Sequence, residues 1–298
     1  MMSYILASDW GESRMKRFKN LLLIQTPHTH FNPLALSRAI QLAQWNQAHL
    51  QVIYIFPESA TNPTIPHEAL LDNHRADIAV EILQYHPIPS LLEKIKQQAI
   101  DLVLIADPAI VTDLTQFELR LMRQCPVPLW IVRPNPYPFY KNILAAIDPD
   151  SHNPQRHLLN CLVIELGVSL SEMERAKLHV VHAWHLKGES ELRHSAFMRV
   201  SEKELARLRA EEQEKHQAAV EHLISTHPSA HADINIQLLH GVASEVIPEF
   251  VHTQHIDLLI MGTVGRTGLS GLIMGNTAEG ILKTVQCSVL TVKPYGIE

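Results

Sequence analysis

One pattern occurs twice along the 298 residues, and that repetition limits the possible fold more than any other feature. The segment Lys19-Asn20-Leu21-Leu22-Leu23-Ile24-Gln25-Thr26-Pro27 returns as Lys141-Asn142-Ile143-Leu144-Ala145-Ala146-Ile147-Asp148-Pro149. Each copy is a short continuous apolar run, the pattern of a strand buried on both faces. Asn32-Pro33 follows the first copy and Asn153-Pro154 the second. Asn at the cap and Pro at the first helical position start a helix well, because the hydrogen that Pro lacks would find no partner there. Second strands are predicted at His49–Phe56 and Lys177–Trp184, fourth strands at Ile100–Ala106 and Ile256–Gly262, and closing strands at Leu129–Pro134 and Val289–Pro294. Strands alternating with helical stretches give parallel sheets with right-handed crossovers, and the length accommodates two such sheets. Pro134-Asn135-Pro136-Tyr137-Pro138 reads as the linker between them. The expected division is a leader over 1–18, one unit over 19–136 and another over 137–298.

Composition narrows the function classes. A net charge of −6 without a Lys/Arg cluster argues against a nucleic-acid surface. No apolar run reaches the ~18 residues that would span a bilayer, and the N-terminus lacks a basic signal-peptide region. Three cysteines, an odd and sparse set, imply no disulfide framework, so a reducing cytoplasm is the expected location. Nineteen histidines invite a metal reading. His179 and His182 would point to opposite faces of a strand and cannot share an ion. His252 and His255 could meet on one helical face but lack a supporting carboxylate or cysteine, so no metal site is assigned.

The halves differ in two places. Between its second and third strands the second half carries a charged segment, 190–226, in which Ser201-Glu202-Lys203-Glu204 predicts a capping box. That helix reads as a solvated face or as a docking surface. After its fourth strand the second half runs Gly262-Thr263-Val264-Gly265-Arg266-Thr267-Gly268, and Gly275-Asn276-Thr277 opens the last helix. Glycines let the backbone approach a ligand, and the free amides of a helix start attract anions. Open α/β sheets also bind ligands at this end, beyond the carboxyl ends of the strands. Arg266 could steady a phosphate or form a surface ion pair. Ser270 is not the nucleophile of a G-x-S-x-G elbow, and no P-loop, HxGH or SGGxDS signature occurs.

The glycine loop, with Asp148 ending the first strand of the same half, resembles the universal stress protein family. ATP-binding members of that family carry G-x2-G-x9-G-[S/T]. Gly262, Gly265 and Gly275 keep the spacing, while Asn276 replaces the usual Ser or Thr and still offers an N-cap acceptor. The string around Gly262–Ile281 and the Cys287–Pro294 ending are similar to the E branch of tandem members. The resemblance implies an α/β fold of two flavodoxin-like or Rossmann-like domains, each a five-stranded parallel sheet ordered 3-2-1-4-5 with helices on both faces. It also implies an adenine-nucleotide site in the second half. Ala146 and Ile147 would line the first strand's end, Asp148 would hold the nucleoside and Ala183 would touch adenine. Met261 would lie at the base of the loop, with Gly262, Gly265, Gly275, Asn276 and Thr277 around the phosphates. The ligand implied is ATP, with AMP or ADP as alternatives and Mg2+ as companion ion. No catalytic residue is assigned, and slow hydrolysis is the most the resemblance allows. In the first half Thr26 replaces Asp148, and Ala106-Asp107-Pro108-Ala109 replaces the glycine turn, so no ATP is expected there. The family also implies an internal pseudo-dimer of the two halves, or a homodimer of the tandem chain, acting in stress response. A nucleotide-free interaction scaffold is the alternative.

Overall fold

Continuous apolar runs separated by amphipathic stretches can bury themselves only as sheet strands covered by helices on both faces. The computed structural model, which describes residues 18–25, 32–56, 77–84, 88–106, 116–149, 153–189, 200–225, 234–263 and 274–293, has that arrangement. The first half comprises β1 (Asn20–Gln25), α1 (Pro33–Asn46), β2 (His49–Phe56), β3 (Asp77–Gln84), α2 (Ile88–Gln97), β4 (Leu102–Ala106), α3 (Gln116–Gln124) and β5 (Leu129–Val132). The second comprises β6 (Asn142–Ile147), α4 (Pro154–Glu174), β7 (Lys177–Trp184), α5 (Glu202–Ser225), β8 (Ile234–His240), α6 (Ala243–Thr253), β9 (Leu258–Gly262), α7 (Asn276–Thr284) and β10 (Ser288–Val292). Within each half the strands are parallel and ordered 3-2-1-4-5, as expected. The two sheets are not separate. Antiparallel pairing of β5 with β10 joins them into one ten-stranded mixed sheet. Core residues of α1, α4 and α5 lie on one face, and those of α2, α3, α6 and α7 on the other.

The repeat extends to individual hydrogen bonds. Asp101 accepts from the amides of Lys19 (2.6 Å) and Asn20 (3.1 Å), while Asp257 accepts from those of Lys141 (2.7 Å) and Asn142 (2.9 Å). Each carboxylate thereby ties the start of the fourth strand to the start of the first. Asn32 and Asn153 cap α1 and α4, each with Pro at the helix start, and both helices end on a left-handed residue, Gln47 or Arg175. Ala99 and His255 share a φ of 49° at the matching turn. This turn places His255 beyond the end of α6, so it does not share a helical face with His252. The amide of Glu204 donates to the Ser201 hydroxyl at 3.2 Å, as the capping box requires. The Glu204 carboxylate is engaged by Arg207 instead.

At the seam, Trp130 lies opposite its repeat equivalent Leu290, with Ile131 opposite Val289 and Leu129 opposite Thr291. The residues that follow the two strands then reach across it. Arg133 donates to the carbonyl of Val285, just past α7. Lys293 donates to the carbonyls of Arg123 (3.0 Å) and Cys125 (2.7 Å), at the end of α3. Each half therefore places a cation on the orphan carbonyls of the other half's last helix, where the helix dipole favours it. On the opposite face, Arg38 of α1 pairs with Glu174 of α4 at 2.5 Å, both buried, and stacks on the Tyr140 ring at 3.4 Å. Glu174 also accepts from the amide of Tyr140 at 2.9 Å. Phe18, placed in the leader by the sequence reading, is buried in this core.

Breaking a buried pair leaves one ion without its counter-charge. Arg38→Met will therefore destabilise the fold by about 3–5 kcal/mol. Arg38→Met/Glu174→Met will recover part of that loss, read from urea midpoints. A second expectation concerns Lys293, whose ammonium burial pulls down to about 8. Between that value and the unfolded 10.5 the unfolded chain binds the extra proton, so its stabilising contribution is complete above pH 10.5 and lost as pH falls through 8. The neutral amine retains two N–H donors for its two carbonyls. Relative to Lys293→Met, the native chain will gain up to about 3 kcal/mol on going from pH 7 to 10.5, measured by chemical unfolding at each pH.

Candidate functional site

The carboxyl ends of β6, β7 and β9 bring most of the expected residues together. Ala146 is in register with Met261 on one side and with Val181 on the other, and Ile147 is in register with His182. Ala183 faces Leu239 across β7 and β8. Ala146 and Ala183 remain half-buried, although both border the core that contains Met261 and Met274. Two small side chains thus stand at the ends of adjacent strands, each partly open to solvent.

Position by position, the first half fills the same place. Ile24, Ile55 and Ile105 occupy the positions of Ala146, Ala183 and Met261, and all three are buried. Two alanines against two isoleucines is a difference of six methylene-sized groups, large on the scale that close-packed interiors register. The halves therefore differ in packing at this position as well as in loop sequence.

Asp148 is held from behind. Its amide donates to the Asn160 side-chain oxygen and its carbonyl accepts from the Asn160 side-chain nitrogen, both at 2.9 Å. This buried amide continues the strand's hydrogen bonding by one residue. Its carboxylate, 44% exposed, lies 3.3 Å from Arg156 in the first turns of α4. The sequence reading missed Asn160, though its signal was present. It lies seven residues, about two turns, beyond Asn153, and is a polar residue in the apolar run Leu158-Leu159-Asn160-Cys161-Leu162. In the first half the same position is Ala39.

The loop's two ends meet. The amide of Gly275 donates to the carbonyl of Thr263 at 2.9 Å, and that of Thr263 to Val292 at 3.1 Å. Gly275 itself is the N-cap of α7, extended at φ −68° and ψ 144°, and its carbonyl accepts from Glu279. Asn276 is therefore the first helical residue, not the capping acceptor that the sequence suggested. The cap residue, a glycine, offers this helix no side-chain acceptor, and Asn276 and Thr277 stand exposed in its first turn. Gly265, Arg266 and Ser270, like Thr26, Asp107 and Pro108 in the first half, lie outside the described residues. Gly262 has a packing role of its own. A Cβ there would come within 2.6 Å of Leu159 on α4, so the missing side chain admits that helix. Cys287, just before β10, has its thiol pushed up to about 12 by burial, which leaves it unreactive. No cluster of three metal-ligating side chains occurs among the described residues, and none of their helices is long and apolar enough to cross a membrane.

Two α/β halves, each with strand order 3-2-1-4-5 and joined into one ten-stranded sheet, define the class. Residues 139–293 match the universal stress protein family profile, and the chain belongs to that family. It is similar over its length to tandem members of the E type. Universal stress protein E homolog of Haemophilus influenzae is 25% identical, covering 93% of this chain and 98% of its own. Universal stress protein E of Escherichia coli K12 is also 25% identical, covering 94% and 95%. Among solved structures, a functionally unknown protein of Pseudomonas aeruginosa PAO1 superposes with a TM-score of 0.69 at 23% identity, covering 95% of each chain. A universal stress protein from Archaeoglobus fulgidus gives 0.54 at 13% identity, covering 92% and 98%.

The Gly262 contact generates a test by double-mutant cycle. Gly262→Ala will cost about 1–3 kcal/mol through overpacking against Leu159. Adding it to Leu159→Ala will cost almost nothing further, because the clashing methyls are gone.

Proposed function

We propose that the second half binds an adenine nucleotide, ATP or its mono- or diphosphate, as a regulatory ligand in a cytoplasmic stress response. The observation that carries this reading is the recess made by Ala146 and Ala183 where the other half has buried isoleucines. A purine would lie in that recess, near Met261. The Asp148 carboxylate, held outward by the Asn160 clamp, would take the ribose hydroxyls. The exposed first turn of α7 at Asn276 and Thr277, with Gly265 in the intervening loop, would take the phosphates. Mg2+ would then arrive with the phosphates, which supply most of its oxygen ligands. Beyond Asp148 no group is positioned as a general base among the described residues, so binding rather than turnover is the proposed activity, with slow hydrolysis as its ceiling. The halves 19–136 and 137–298 would act as a ligand-free and a ligand-binding domain within one internal pseudo-dimer.

Two observations favour the scaffold alternative. Arg156 already engages Asp148, and Leu159 alone accounts for Gly262. Calorimetric titration with ATP separates the two. The native chain will bind, and Ala146→Ile/Ala183→Ile, which copies the first half, will bind at least about tenfold more weakly, as will Asp148→Ala. Equal affinity in all three proteins would remove the site as drawn, and no heat from the native chain would leave the scaffold reading.

A further inference from the structure

The ten-stranded sheet ends on β3 and β8, and β3 lacks most of the devices that guard an open edge. It runs for eight residues, longer than a typical strand. Its register with β2 is unbroken from Asp77 to Gln84, so no bulge turns the edge away. It carries neither Lys nor Pro. Its odd-numbered side chains are engaged within the chain. Asp77 pairs with His49 of β2 at 2.9 Å and Glu81 with Lys94 of α2 at 2.6 Å, while Leu83 joins the core that contains Leu91 and Ile95 of that helix. The even-numbered Ile78, Val80 and Ile82 form an apolar row on the opposite face. Val80 and Ile82 are 44% and 48% exposed, although their neighbours across the ladder, Val52 and Tyr54, are buried. In the corresponding row of β8, Ile236 alone is exposed, with Ile234 and Leu238 partly covered.

We propose that β3 pairs antiparallel with β3 of a second copy of this chain, about a two-fold axis through Val80. An axis perpendicular to the sheet keeps the apolar row of one copy continuous with that of the other. The acids then choose the register. Centred on Ala79, the axis would set Asp77 directly opposite Glu81, and centred on Glu81 it would set that carboxylate against itself. Like charges directly opposite one another are destabilising. Centred on Val80, the axis sets Ile78 opposite Ile82 and Val80 opposite Val80. Each acid then meets a neutral neighbour, Asp77 against Leu83 and Glu81 against Ala79, and keeps its partner within its own chain. The chain makes the same kind of contact internally, where β5 and its repeat equivalent β10 pair antiparallel. Pairing β3 with β8 of the next copy would also be antiparallel, but that head-to-tail contact does not close, and β8 offers one exposed apolar side chain. Self-pairing closes after two copies and covers both apolar rows. The strand is remote in the sheet from β6, β7 and β9, so their carboxyl ends stay untouched. An edge of this size lies at the small end of specific interfaces, and the dimer is correspondingly weak and reversible.

Sedimentation of the full chain without nucleotide reads the association separately from ATP binding. The native chain will pass from monomer to dimer as its concentration rises to about 0.3 mM, the range a small interface requires. Val80→Lys sets two ammonium groups at the axis and will weaken the dimer at least about tenfold. The substituted side chain is already exposed, so the thermal midpoint at low concentration will stay that of the native chain. Ile236→Lys on β8 will leave association unchanged. Oxidation of Val80→Cys will link two copies, because residues facing each other across an antiparallel pair have Cα atoms within about 5.5 Å. Ile82→Cys lies opposite position 78, roughly 13 Å along the strand from its own copy, and will not crosslink. A native chain that stays monomeric, a Val80→Lys protein that dimerises as tightly, or crosslinking at 82 rather than 80 would overturn the pairing. So would longer polymers that Ile236→Lys abolishes, which would mark a head-to-tail contact instead.

Discussion

The antiparallel contact between β5 and β10 lets two five-stranded sheets exist as one, and most of the structure can be read from it. A parallel sheet ordered 3-2-1-4-5 ends on its fifth strand, which would otherwise present a row of unpaired amides and carbonyls. Here that edge meets its own repeat, centred on Trp130 opposite Leu290. The pairing brings the residue after each strand within reach of the opposite half. Arg133 and Lys293 hold equivalent positions, and each caps the last helix of the other half. Arg123 and Glu279 add a direct ion pair between those helices at 2.7 Å. The satisfaction of each half's backbone thus depends on the presence of the other. Arg38, Glu174 and Tyr140 repeat that dependence on the other face of the sheet, with full burial raising the penalty for losing any one member.

This mutual dependence separates two kinds of sequence pressure. Residues at the seam must stay complementary, because a change on one side leaves carbonyls or charges unpaired on the other. The carboxyl ends of the central strands carry no such obligation to the partner half. There the copies are free to differ, and the difference is one of volume. Isoleucines close the first recess and alanines leave the second open. Filling a recess with apolar side chains favours stability, since buried apolar area is the main favourable term in folding. The half-buried Ala146 and Ala183 forgo that gain. The first half is in this sense a structural counterpart to the second.

Much of this architecture was legible in the sequence because it rests on period and repetition. Strands β1, β2, β4, β5 and their counterparts are continuous apolar runs, and Asn-Pro marks both α1 and α4. The third strands were not located. Asp-Ile-Ala-Val-Glu-Ile-Leu-Gln in β3 and Ile-Asn-Ile-Gln-Leu-Leu-His in β8 are edge strands of partly alternating polarity, weaker signals than a central strand gives. The joining of the sheets was also invisible, because strand pairing across 158 or more residues leaves no local periodicity. At the candidate site, the sequence reading named Ala146 and Ala183 only through the family resemblance, whereas the structure adds Asn160 and the isoleucines that stand in their places in the first half. Small residues carry information only when compared with what stands at the equivalent place. That comparison requires the register of Ala146 on Met261 and of Ile24 on Ile105.

The same register explains why polar side chains gather at one end of the second half. A strand that ends at the carboxyl edge of a sheet leaves its last amide and carbonyl without a neighbouring strand to pair them. In β6 those groups are taken up by side chains: Asn160 closes the backbone of Asp148, and His182 takes the carbonyl of Ile147. In the first half, Gln25 replaces Ile147 and turns its own amide to the carbonyl of Asn32, while Tyr54 replaces His182. A tyrosine has no second ring nitrogen to pass a hydrogen bond onward. Among the described residues, the second half alone continues from the strand end through His182 to His216 on the charged helix α5. Accessibility at the recess and polarity around it are two consequences of ending the strand in the open.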